Sequence, residues 1–243
     1  MTISFCTTCM GRLHHLRETL RHNIGLVEKL KGVELVILDY NSQDGLESWA
    51  ECELAGPIRD GVVNYYRTEL PSFFHMAHGK NVAHRVAMGD IVCNLDADNF
   101  LSNEFIEFVS NTFQHSNERL FLAPQEYDGA YGRLVIPKYW FERLGGYDED
   151  FEWGWGYEDD DLRHRARILG LEEKTIPPNT VSSLEHSEEE RVKNSKLKDK
   201  AESKHRHETM SHQKRNSGMI IANVNRRWGS ARLVKNFTDA LEI

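Results

Sequence analysis

Two groups of side chains in this chain combine types and spacings that can do chemistry. The first is Asp96, Ala97 and Asp98, which follow the apolar run Ile91 to Leu95. Two carboxylates one residue apart at a strand end can converge on a divalent cation beside a diphosphate. Acidic pairs also form turns and cap helices, so the ligand reading draws its support from the place after a strand, where ligand crevices open in parallel sheets. His186, preceded by Ser182, Ser183, Leu184 and Glu185, carries an imidazole able to complete an oxygen-rich metal site. The second group runs Trp153, Gly154, Trp155, Gly156, Tyr157, Glu158, Asp159, Asp160, Asp161. Glycines between aromatics let the backbone turn tightly while presenting flat apolar faces that suit the C–H face of a pyranose, and the carboxylates beside them suit sugar hydroxyls. A buried aromatic cluster followed by an acidic first helical turn accounts for Glu158 and one aspartate. Four consecutive acids beside two tryptophans ask for more, and a positioned carboxylate is what general-base chemistry requires. His205, His207 and His212 stand in a charged stretch and read as solvated.

The elements that position these groups can be read from the apolar pattern. Ile3 to Thr7 reads as a buried strand, followed by helical spacing through Leu13, Leu16, Leu20, Val27 and Leu30 up to Gly32. Val33 to Leu38 is a second strand ending in the polar turn Asp39 to Gly45, and Val62 to Tyr66 a third. A helix beginning near Lys80 uses Val82, Ala83, Val86 and Ala87 before the run Ile91 to Leu95. Ser102 caps a helix with the stripe Phe105, Ile106, Val109 and Phe113. Short strands follow at Leu120 to Ala123, Leu134 to Ile136 and Thr180 to Leu184, with a helix from Asp159 to Leu169 that Gly170 ends. Strands alternating with helices predict a mainly parallel sheet covered on both faces.

Composition narrows the classes of function. The 243 residues suit one domain, and 40% hydrophobic with 28% charged residues is ordinary for a folded chain. No run is apolar enough to span a bilayer, and Met1 leads directly into Ile3 without a basic leader, so a cytoplasmic protein is expected, with peripheral membrane association and homo-oligomers left open. The formal charge of −8 arises between Asp148 and Asp161, where eight acids stand without a Lys or Arg; the remaining 30 acids balance 30 bases. That balance gives no basic footprint for nucleic acid. Of the four cysteines, only Cys6 and Cys9 have a redox or zinc spacing, and no second pair completes it, so small buried thiols are expected.

Taken in order, these motifs resemble the GT-A glycosyltransferases, in particular the inverting family 2 enzymes and the β-1,4-galactosyltransferase group, whose C-terminal motif is similar to Trp153 through Asp161. The match runs from about Ile3 to His186: Thr7, Thr8 and Arg12 after the first strand, Asp39, Asn41 and Ser42 after the second, Gly79, Lys80 and Asn81 opening a helix, then Asp96 and Asp98, then Glu158 and Asp159. The resemblance implies an α/β GT-A type nucleotide-sugar-binding fold. It implies a core over residues 1–186, with a nucleotide-binding half to about 100 and an acceptor half after it, and a charged helical or mobile extension over 187–243. It also implies an inverting, metal-dependent transfer of a hexose or N-acetylhexosamine from a UDP-sugar to a hydroxyl acceptor, a glycan, lipid-linked or small molecule. Thr7, Thr8, Arg12, Asp39 and Asn41 would then line the donor site, with Asp39 on the uracil imide; His78, Lys80 and Asn81 would add donor contacts. Asp96 and Ala97 would touch the ribose or donor sugar, and Asp98 with His186 would hold Mn2+ or Mg2+. Asp159 would be the general base, while Trp155, Gly156, Glu158 and Asp160 would hold donor sugar and acceptor. In galactosyltransferases an arginine stands near the position of Met76; here the basic residues of that segment are His78 and Lys80.

Two rivals differ in class. A sugar nucleotidyltransferase would carry a glycine-rich, arginine-containing loop after the first strand, where this chain has one glycine, Gly11. A carbohydrate-binding module that has lost turnover would bind sugar or UDP without transfer.

Overall fold

The computed structural model describes residues 1–116, 119–125, 131–178 and 180–243. In chain order the elements are β1 (Ile3–Cys9), α1 (Leu13–Val27), β2 (Val33–Tyr40), α2 (Leu46–Glu53), α3 (Ala55–Arg59), β3 (Val63–Thr68), α4 (Met76–Val86), β4 (Ile91–Asn94), β5 (Asn99–Phe100) and α5 (Asn103–Gln114). They continue with β6 (Leu120–Ala123), β7 (Val135–Pro137), α6 (Lys138–Arg143), α7 (Glu158–Ile168), β8 (Glu172–Thr175), β9 (Ser182–Ser183), α8 (Glu188–Val192), α9 (Lys200–Asn216), β10 (Arg232–Lys235) and β11 (Asp239–Glu242).

Among the described residues, one nine-stranded sheet has the order β11-β10-β3-β2-β1-β4-β7-β6-β8. Its centre, β3-β2-β1-β4, is parallel, as is the β6–β8 pair; β7 and β10 run antiparallel to their neighbours. The alternation of side chains along each strand separates two cores. Phe5, Leu35, Ile37 and Cys93 face α1, α2 and α5, whereas Cys6, Val36, Leu38 and Val92 face α4, α6 and α7. Helices therefore cover both faces of a mainly parallel sheet, as the pattern predicts.

The structure differs from the sequence reading in the second half. The strand expected from Thr180 to Leu184 shortens to β9, which pairs with β5 rather than with the main sheet. Residues 187–243, read from the sequence as an extension, contribute α8, α9 and a β10–β11 hairpin whose first strand pairs with β3. Cys6, Cys9 and Cys93 are buried free thiols that burial pushes up in pKa, while Cys52 is exposed. Among the described residues no helix is long and apolar enough to cross a membrane.

Candidate active site

The carboxyl ends of β1 and β4 open into a cavity of about 650 Å3. Its wall at the β4 end is the turn Asp96-Ala97-Asp98, which Leu95 joins to the end of β4. The turn is held from within: Asn99 Oδ1 accepts from the Asp96 amide at 2.9 Å, Asn99 Nδ2 donates to Asp98 Oδ1 at 2.8 Å, and Thr19 Oγ1 donates to the Ala97 carbonyl at 2.7 Å. The short β5–β9 ladder pairs Asn99 with Ser183, and the Leu184 amide donates to the Asp98 carbonyl at 2.8 Å. Three residues past Ser183 the chain delivers His186, whose Nε2 lies 2.7 Å from Asp98 Oδ2. A two-residue ladder thus joins side chains 88 positions apart.

Burial and the negative charge of Asp96 push the Asp98 carboxyl up, while His186 pulls it down. A partly desolvated carboxylate with one oxygen steered by an amide and the other facing an imidazole is the donor set of a hard to intermediate divalent cation. These two residues fit such an ion: Asp98 and His186 would supply two of its donors, and its charge would then be available to a diphosphate.

The opposite wall is the segment Trp155 to Asp160. Gly156 at φ 94 and Tyr157 at φ 75 are left-handed, and this reversal starts α7 at Glu158. All four acids stand in the first turn of α7, where the helix dipole favours negative charge. Their partners separate their roles. Asp161 is buried, receiving Arg165 Nε at 2.6 Å and Ser211 Oγ at 2.5 Å. Glu158 and Asp159 share the ammonium of Lys80, with Nζ 2.8 Å from Glu158 Oε1 and 2.8 and 2.9 Å from the two Asp159 oxygens. Asp160 accepts from the Tyr131 hydroxyl. Burial pushes the Asp159 carboxyl well above the usual range, Lys80 pulls it down, and Glu158 and Asp96 push it up. The two acid groups approach each other across Gly132, where an added Cβ would lie 3.0 Å from Asp159 Oδ2 and 3.3 Å from Asp96 Oδ2.

The aromatic–acidic segment is gripped from behind by α9. Ser203, His207 and Ser211 recur every four residues along one face of that helix and are buried. Ser203 Oγ accepts from the Trp155 amide at 2.7 Å and donates to the Trp155 carbonyl at 2.6 Å. His207 Nδ1 donates to the Gly156 carbonyl at 2.7 Å and its ring stacks on Phe151. Ser211 reaches Asp161 as above. His207 is therefore a structural side chain, which corrects its reading as solvated: the buried face of α9 carries small polar residues rather than apolar ones, so helical periodicity of hydrophobics gives no signal. His205 and His212 are exposed.

Of the residues picked from the sequence, the structure brings Thr8, Arg12, Lys80, Asp96, Ala97, Asp98, Trp155, Gly156, Glu158, Asp159, Asp160 and His186 to this one cavity. Thr8 Oγ1 is buried and has no hydrogen-bond partner among the described residues. Five others do not line it. Thr7 is buried under the sheet end. Asp39 is fully buried, with Oδ1 receiving the Ser42 amide and Oδ2 receiving Tyr65 Oη at 2.8 Å and Arg67 Nη1 at 2.6 Å. Asn41 donates to the Pro71 carbonyl, His78 bonds Tyr40 Oη and the Ser230 carbonyl, and Asn81 bonds Tyr147 and Glu149. The causes differ: Thr7 and Asp39 lie inside β1 and β2 with buried side chains, Asn41 turns to the Pro71 carbonyl, and His78 and Asn81 stand on α4 with their polar atoms bonded to the scaffold; order along the chain shows none of this. Residues that the sequence reading missed come chiefly from the charged segment: Glu190, Arg191, Asn194, Lys204 and Glu208 also line the cavity. His15, pushed down to about 4 by burial and the neighbouring His14 and Arg12, joins them as a neutral imidazole.

The sequence model of a family described as the N-terminal domain of galactosyltransferase matches residues 114–196, about a third of the chain and the part that holds Trp153 to Asp161 and His186. No curated protein sequence matches significantly. Among solved structures, the chain is similar to a mannosyltransferase, PcManGT from Pyrobaculum calidifontis, in complex with GDP-Man and Mn2+, at 19% identity and TM-score 0.58 over 73% of this chain and 55% of that one. It is also similar to S. aureus TarS 1-349 in complex with UDP, at 13% identity and TM-score 0.60 over 78% of this chain and 62% of that one. The chain thus spans less than two thirds of the length of these structures.

Proposed function

From a GT-A glycosyltransferase fold and a galactosyltransferase-type segment over residues 114–196, we propose that this chain transfers a sugar from a nucleotide diphosphate donor, a UDP-sugar first among them, to a hydroxyl acceptor. The observation that carries the reading is the confrontation of two walls in one cavity, Asp98 with His186 on one side and Asp159 on the other. Metal-binding and proton-accepting groups facing each other across a space the size of a sugar nucleotide are what a displacement at an anomeric carbon needs. The complexes of PcManGT with GDP-Man and Mn2+ and of TarS with UDP support a nucleotide-sugar donor and a divalent cation.

In this reading Thr8, Arg12 and Asp96 bind and orient the donor, and Asp98 and His186 would hold a divalent cation, which when bound would supply charge to stabilise the departing diphosphate. Asp159 takes the proton of the acceptor hydroxyl as its oxygen attacks the anomeric carbon, so configuration inverts. The net negative charge around Glu158, Asp159 and Asp160 opposes the positive charge that develops on the sugar. Because both Asp39 oxygens already have partners, its role would be to shape the base pocket through Arg67 and Tyr65, and the preference for uridine is carried by the resemblance.

Calorimetry with UDP, with and without Mn2+, followed by a panel of UDP-sugars and GDP-mannose, tests the donor site. Mn2+-dependent binding with one preferred sugar and release of the nucleotide diphosphate is expected. Failure of every nucleotide to bind would overturn the proposal; binding with no release under any acceptor or metal would favour a binding module.

A further inference from the structure

The resemblance implies a donor contact for Lys80, and its surroundings point to a different task. It sits in α4, whose close approach to the end of β1 depends on Gly79: an added Cβ there would lie 2.7 Å from Thr8 Cγ2. The lysine side chain is 5% exposed. An ammonium has three N–H donors. Three carboxylate oxygens stand within 2.8, 2.8 and 2.9 Å of Nζ, one from Glu158 and two from Asp159. The ring of Tyr147 lies 5.1 Å away, closing the pocket with a π face. No donor remains for a phosphate oxygen. The two carboxylates outweigh burial and hold the lysine protonated.

We propose that Lys80 is a positioning residue for the reaction: it is the fixed counter-cation that keeps the Asp159 carboxylate ionised and aimed into the cavity, and it does not bind the donor diphosphate. The inference rests on Asp159 being the general base. Without Lys80, two adjacent carboxylates in the first turn of α7 would face each other and Asp96 with no cation between them, and one of them would take up a proton. Asp159 faces Lys80 from α4, Asp96 from the turn after β4, Tyr147 from the segment before α7 and Glu158 on its own helix. Lys80 is the one cation in that group. Removing it raises the affinity of Asp159 for a proton, and since only the anion accepts the acceptor's proton, the acid limb of the rate profile must move to higher pH. The ammonium carries no proton away during the reaction; it stays bound to Glu158 while Asp159 is transiently neutral.

The test compares wild type with Lys80→Met, Lys80→Arg and Asp159→Asn, reading the dissociation constant of UDP with Mn2+ and the pH dependence of kcat. Lys80→Met should bind UDP within about twofold of wild type, lose about tenfold or more in kcat at neutral pH, and show an acid limb raised by about one pH unit or more. Lys80→Arg should return the limb towards wild type, because it restores the charge without restoring the three-point geometry. Because Lys80→Met could fail to fold with two bare carboxylates, the double variant K80M/E158Q, which removes one of them, is run beside it and should show a smaller limb shift than K80M alone. A tenfold or greater loss of UDP affinity in these variants, with the limb unmoved, would assign Lys80 to the donor and overturn the proposal. Normal transfer by Asp159→Asn would overturn the reading of the base itself, a result independent of UDP affinity.

Discussion

The two walls of the cavity are built in opposite ways. The wall proposed to hold the metal is local: only Leu95 separates β4 from Asp96, Asn99 holds the Asp96 amide and the Asp98 carboxylate, and a two-residue ladder brings in His186. The acid–aromatic wall is assembled at long range, with Lys80 from 78 and 79 residues upstream and Ser203, His207 and Ser211 from about 50 residues downstream. A turn at the end of a central strand inherits its rigidity from the sheet. A glycine-rich loop before a helix has none of its own and must borrow it. The wall that carries the proposed base is therefore the one whose geometry depends on distant parts of the chain.

Substitutions at the two walls should fail differently, and the largest effect belongs to the base. Asp159→Asn keeps the size and one of the two acceptors for Lys80 while removing the proton acceptor, so the transfer rate should fall by about 10²- to 10⁴-fold with UDP affinity unchanged. Rate assays and calorimetry on the same preparation check this; equal losses in both would mean that the two walls are not functionally separate. At the metal wall the order reverses. Asp98→Ala or His186→Ala should abolish the enhancement of UDP binding by Mn2+, as EDTA should for wild type, while leaving the thermal midpoint nearly unchanged. Both side chains sit at the cavity rather than in the core, which is why stability is expected to survive. A large fall in Tm in either variant would show that this wall, too, is held together by its functional residues.

This contrast also explains which parts could be read beforehand. The parallel centre of the sheet was legible because Phe5, Val36 and Leu38 lie in continuous apolar runs, and the Asp96–Asp98 turn because it ends one of them. His186 was legible as an imidazole after a short strand, but its pairing with Asp98 was carried by the resemblance, since the ladder that delivers it has two residues. The α9 scaffold was illegible: its buried face is Ser203, His207 and Ser211, and a stripe of serines and a histidine has the composition of solvent-facing helix. Hairpin β10–β11 was missed for a related reason, since its strands Arg232–Lys235 and Asp239–Glu242 are half polar and pair at a sheet edge. Asp39 shows the converse, a residue read as following the second strand that lies inside the end of β2 with its side chain turned into the scaffold.

Breaking the grip of α9 should damage the long-range wall alone. Ser203→Ala removes the one hydroxyl that both accepts from and donates to Trp155, taking that partner from a part-buried amide and carbonyl, at a cost of about 1 kcal/mol. His207→Leu keeps the apolar contact with Phe151 and loses the bond to Gly156. In both variants the transfer rate should drop with the loop's order while Mn2+-dependent UDP binding persists. Hydrogen exchange at Gly154 to Tyr157 would report the loosened loop directly, and unchanged protection there would separate α9 from the site.

The smallest expected effect concerns the tryptophan faces. Lys200 Nζ stands 4.3 Å from the centre of the Trp155 ring and Lys196 Nζ 4.6 Å from that of Trp153, so cations of the tail occupy surfaces that suit a sugar. Such contacts at accessible sites contribute about 0.5–1 kcal/mol, and Lys200 also pairs with Glu188. Lys200→Ala should lower stability by no more than about 1 kcal/mol. If the acceptor stacks on Trp155, the same substitution frees the ring and should lower the acceptor KM, whereas Trp155→Ala should raise it. The two changes pull in opposite directions on one parameter, so a competition between lysine and sugar predicts a sign as well as a size. A rise in KM in both variants would instead make Lys200 part of the acceptor site, and the tail would then be a component of recognition as well as of scaffolding.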